Sequence, residues 1–116
     1  MSTEGGFNAE TYYALSNIPV FTYGSSAMND TIGAVIAAAY NAGYLMGAGT
    51  SDGSDKTLNQ CGIAFGHAYS LVTAFNVTAA NGTVISAFIL RNPWGTVAYN
   101  LTLNPNDTFW TSSTLS

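Results

Sequence analysis

Hydrophobic positions fall at helical spacing only in the first half of this chain; the second half is dense in β-branched and aromatic runs. Residues 1–28 mix aromatics with Gly and Ser and keep no sustained period. Within them Asn8 to Leu15 suits a short helical turn. Ile18 to Tyr23 looks like a strand, which Pro19, lacking an N–H, restricts to a sheet edge. Asn29 or Asp30 then offers an N-cap for a helix to about Ala42. Ile32, Val35, Ile36, Ala39 and Tyr40 share one face of it. Gly43 stands where a left-handed residue ends many helices.

Tyr44 to Thr50 reads as a short strand, and Ser51-Asp52-Gly53-Ser54 is turn chemistry opening a polar loop to about Gly62. Phe65 to Val77 is a long strand candidate. Asn81-Gly82 follows as the strongest hairpin signal in the chain, and Thr83 to Leu90 is the returning strand. Val97 to Leu103 suits a further strand before a turn at Pro105 and a closing Phe109-Trp110 stretch. There is no internal repeat and no linker. These elements predict one α+β domain over residues 1–116, an antiparallel β-sheet packed with one main helix.

Composition narrows the function classes. A chain of 116 residues buries roughly 65% of its unfolded surface. Only 7% of its residues are charged, and the net charge is −4 with no basic cluster, so nucleic acid is not an expected partner. The longest apolar run, Ile32 to Tyr40 and past Asn41 to Met46, is too short and interrupted to span a bilayer. No membrane association is expected. The N-terminus lacks a basic region followed by an apolar core, and the single cysteine, Cys61, forms no internal disulfide. An intracellular, cytoplasmic location is therefore the expectation. Five Asn-X-Ser/Thr sequons, at Asn29, Asn76, Asn81, Asn100 and Asn106, are the one feature pointing to secretion.

The candidate chemistry lies in two short stretches. The only histidine sits in Gly66-His67-Ala68-Tyr69-Ser70, and an asparagine precedes a proline in Arg91-Asn92-Pro93-Trp94-Gly95. A hairpin turning at Asn81-Gly82 brings both to its open end. His67 lies fourteen residues before Asn81 and Asn92 ten after Gly82, so a bulge or looser loop must absorb the difference. Cross-strand neighbours have Cβ atoms about 5 Å apart. An amide oxygen there can accept from the imidazole and fix its tautomer, leaving the other ring nitrogen for a thiol proton. Trp94 is placed to cover that bond.

Each residue also has a plainer reading. A lone histidine among apolar residues is more often simply packed, Asn-Pro-Trp-Gly alone is a common turn, and Trp94 is most often core. Cys61 is a poor nucleophile for this pair. On a continuous strand it would lie roughly 20 Å from His67, and no helix N-terminus is there to hold a thiolate.

The two motifs, in this order and 25 residues apart, closely resemble the histidine and asparagine motifs of the calpain family of cysteine proteases. The resemblance extends outward. Glu4-Gly5-Gly6 is similar to the Gly-Gly that opens the second half of the calpain protease core. The helix from Asp30 into Tyr44-Leu45-Met46-Gly47 resembles the helix and strand before the histidine, and Phe109-Trp110-Thr111-Ser112 the closing Glu-Phe-Trp-Met-Ser. The likeness covers roughly residues 4 to 113.

It implies a papain-like half-core, the β-rich subdomain that contributes His and Asn across a cleft. His67 would be the general base, Asn92 its orienting partner, and Trp94 similar to the tryptophan that calcium moves out of the calpain cleft. The implied partner is a protein or peptide substrate. Nothing in the chain corresponds to the family's Gly-Asp-Cys-Trp stretch or oxyanion-hole glutamine, so a Cys-bearing subdomain is a second implied partner. Calcium belongs to a complete family member. Here Thr96 to Leu103 replaces the family's acidic, tryptophan-rich segment and holds no carboxylate, so no metal or cofactor site is expected. The expected function is thus a calpain-like, cysteine-type endopeptidase, inactive as this chain alone. The alternative is a non-catalytic pseudoprotease that binds a peptide or partner.

Overall fold

The computed structural model of the chain describes residues 7–24, 30–51, 53–78, 81–96, 99–101 and 103–108. They form a small α+β domain: helix α1 (Asn8–Ser16), helix α2 (Asp30–Asn41), and strands β1 (Gly47–Gly49), β2 (Ala68–Thr78) and β3 (Val84–Arg91). The three strands make one antiparallel sheet in the order β1-β2-β3.

Local chemistry sets the helix ends. The Glu10 carboxylate reaches back to accept the N–H of Phe7, the N-cap of α1, and Asn17 in the left-handed region closes the helix by donating to Tyr13 O. α2 stops at Gly43, whose φ of +73° only glycine adopts without strain. Tyr44 N–H then reaches Ala39 O at 2.9 Å and Gly43 N–H reaches Tyr40 O at 3.0 Å, a Schellman ending.

The hairpin of β2 and β3 is the backbone of the domain. Its last pair is Thr78 with Val84, with five residues of sequence between them for the connecting loop, and the register shifts by one between Leu71 and Thr73. Of the four-residue difference between the two sides of Asn81-Gly82, the connection takes up one and the bulge at Val72 another, and two remain as an offset between His67 and Asn92. Asn81 Oδ1 accepts the Thr83 N–H within that loop.

α2 packs mainly on β2, where Ile32, Ile36 and Ala74 are buried together and Met46 and Leu71 lean on them. Val35 and Tyr40, expected on the same buried face, remain 41% and 53% exposed, because the helix covers little of β3. α1 rests on β1 through a bond from Asn8 Nδ2 to Ala48 O. No large side chain is fully buried among the described residues.

Two expected strands are not seen among the described residues. Ile18 to Tyr23 runs outside the sheet with Ile18 and Phe21 largely exposed, since no strand lies beside it to pair with. None of the described residues between 97 and 103 is in a strand; Leu103 has a φ of +65° and its N–H donates to the Asp107 carboxylate, which is turn geometry. The Gly5-Gly6 and Phe109-Trp110 stretches, and the Asn29 cap, lie outside the described residues.

Candidate active site

His67 and Asn92 each sit one residue outside a strand, at the end of the hairpin far from its loop. Ser70 pairs with Arg91, so the same register continued sets Asn92 opposite Tyr69 and His67 opposite Trp94. The imidazole and carboxamide are therefore diagonal neighbours, and both side chains lean inward to meet. His67 Nε2 lies 3.0 Å from Asn92 Oδ1.

A second bond decides the tautomer. The backbone N–H of Trp94 donates to the same Asn92 Oδ1 at 3.0 Å. A backbone amide only donates, so the atom it meets must be the carbonyl oxygen and not the NH2 of Asn92. Oδ1 in turn only accepts, so His67 Nε2 carries the hydrogen, and in the neutral ring the lone pair is then on Nδ1. One oxygen thus closes the Asn92-Pro93-Trp94 turn and orients the ring.

Aromatic rings flank the imidazole. Trp94 lies with its centroid 4.2 Å from that of His67 at a tilt of 41°, and Tyr69 meets it edge-on at 4.8 Å and 89°. Trp94 is itself 45% exposed, so it shields one side of the His67 ring while remaining in contact with solvent. Tyr69 is a neighbour that sequence reading passed over. The signal was present, because residues two apart on a strand share a face.

Below the histidine the chain turns sharply. Gly66 has a φ of +51°, and a Cβ built there would lie 2.5 Å from Gly53 O. Only glycine fits, so the expected long strand from Phe65 breaks and begins at Ala68. Gly66 thereby delivers His67 to the sheet from a folded loop. Asn59 organises that loop: its Oδ1 accepts the N–H groups of Cys61 and Ile63, and its backbone pairs with Ile63 and Gly62. Cys61 is a partly buried, free thiol in this turn. Asn92, Trp94 and Tyr69 each meet the His67 ring.

Among the described residues no three His, Cys, Asp or Glu side chains gather into a metal site. Asp107, the carboxylate nearest in sequence to the Asn92 turn, is engaged in capping its own turn. No helix of the described residues is long and apolar enough to cross a membrane.

An imidazole whose Nε2–H is held by a carboxamide at the end of a hairpin is an arrangement that thiol proteases use for their base. Comparison with known families agrees in class. A family model for calpain family cysteine proteases matches residues 1–115, and the chain belongs to this family. No curated protein matches it.

Proposed function

We propose that this chain is the His/Asn half of a papain-like, calpain-type cysteine endopeptidase. The bond from His67 Nε2–H to Asn92 Oδ1 carries the reading. It leaves Nδ1 as the basic nitrogen. A cysteine thiol brought opposite would lose its proton to Nδ1, forming a thiolate–imidazolium pair. The thiolate would attack the scissile carbonyl, and the imidazolium would return the proton to the departing amine. Water, deprotonated by the same nitrogen, would then release the acyl group. Asn92 keeps the ring in register throughout, and Trp94 limits water access to the bond. Peptides or proteins are the substrates, and no step needs a metal.

The nucleophile is assigned to a separate Cys-bearing subdomain and not to Cys61, whose loop is built around Asn59. Fusing a Cys-bearing half from a calpain family protease ahead of this chain tests the reading. We expect thiol-dependent peptide hydrolysis from the fusion and none from the chain alone. Hydrolysis by the isolated chain would overturn the division of labour. A well-folded fusion that binds peptide but never cleaves it would favour the pseudoprotease alternative. The observation behind that alternative is β3, which pairs on one side only among the described residues and suits strand addition.

A further inference from the structure

The loop that carries the histidine is tied to the end of β1 by Thr50. Thr50 follows β1 directly and lies 17 residues from His67 in sequence. Its backbone N–H donates to His67 O at 3.0 Å, while its Oγ1 accepts the His67 N–H at 3.0 Å. The same Oγ1 donates to Ala64 O at 2.7 Å. The contact of Oγ1 with His67 O is longer, 3.3 Å, and the single hydroxyl hydrogen serves Ala64. Both backbone polar groups of His67 are therefore held by Thr50, and the hydroxyl acts as acceptor and donor at once.

Ala64 completes the arrangement. It is 1% exposed, the most buried residue described, and its N–H donates to the Tyr69 hydroxyl at 3.0 Å. Its C=O goes to Thr50. The corner from Ala64 to His67 is thus pinned from one side by Thr50 and from the other by Tyr69, whose ring edge meets the imidazole. Between the pins stands Gly66 in its left-handed turn, after Ala64 has bridged to Leu58 and the Phe65 N–H has reached Thr57 O.

We infer that Thr50 is a positioning residue for the candidate base: its hydroxyl fixes the backbone of His67, and so sets where the imidazole meets Asn92. The inference rests on the reading of His67 and Asn92 as the orienting pair. Valine matches threonine in shape but neither accepts the His67 N–H nor donates to Ala64, leaving two part-buried backbone groups without these bonds. Serine restores both bonds.

Because His67 is the chain's only histidine, its ring N–H can be followed by nuclear magnetic resonance without interference. In the unmodified chain we expect a slowly exchanging Nε2–H. In Thr50→Val that proton should exchange at least about fivefold faster, the change that follows from losing a hydrogen bond of ordinary net strength. Thr50→Ser should return it to within about twofold of the original. Amide protection in the β2–β3 hairpin, measured at Phe75 and Ala87, should be the same in all three proteins. Unchanged Nε2–H exchange in Thr50→Val would overturn the positioning role while leaving the His67–Asn92 pair intact. Failure of Thr50→Ser to rescue, or equal loss of hairpin protection in both variants, would overturn it too by making Thr50 a general fold contact. If the unmodified chain shows no protected Nε2–H, the orienting pair itself fails.

Discussion

Replacing His67 by alanine in the complemented enzyme is expected to lower kcat by about 10⁴-fold or more, with little change in peptide binding. Members of a nucleophile–base unit act together, so removing one forfeits nearly the whole chemical contribution. Asn92→Ala should also act on kcat, removing part of the 10²- to 10⁴-fold that a positioned base supplies. Its effect has two sources, since the same oxygen holds both the ring and the Trp94 turn. Asn92→Asp separates them from a general loss of structure. Its carboxylate can accept both bonds, so the turn and the ring orientation should survive. Peptide turnover by the fusion, normalised to titrated thiol, is the measurement. Turnover of Asn92→Ala equal to that of the unsubstituted fusion would remove Asn92 from the reading.

The hairpin, and with it the meeting of His67 and Asn92, was legible because its signals are local. Asn81-Gly82 marks the turn, and β-branched runs on either side mark the strands. α2 was legible for the same reason, from its apolar spacing and Gly43. What escaped depends on distant partners. Ile18 to Tyr23 has the composition of a strand, yet a strand exists only beside another, and none lies there. Val35 and Tyr40 stay exposed because sequence spacing gives the face of a helix but not the width of what it meets. Thr50 carried no signal at all as a residue of the site. Its work is done across 17 residues on backbone groups, and any strand-end threonine looks the same in sequence.

Gly66→Ala should be the most damaging single substitution for stability. The left-handed backbone costs an L-residue about 1–2 kcal/mol, and the added methyl would meet backbone, the Gly53 carbonyl oxygen, with no flexible side chain to swing away. A total loss of about 2–4 kcal/mol follows, large beside the 5–15 kcal/mol that holds an ordinary domain together. Urea denaturation reads it directly as a lower midpoint. A midpoint within about 0.2 M of the original would mean that the corner relaxes and that Gly66 is not needed to deliver His67.

The thin cover that α2 gives β3 has a thermal consequence. Heat capacity on unfolding tracks apolar surface newly wetted, and here Phe88, Ile89, Leu90 and Val84 already stand at least 36% in water before any melting begins. Calorimetry of the chain alone should therefore give a ΔCp clearly below the roughly 1.4–1.7 kcal/mol/K usual for its length, with a shallow endotherm. A full-sized, sharp one would mean that these side chains are dry in solution. A flat stability curve of that kind would leave the isolated chain nearly as fragile in the cold room as at body heat.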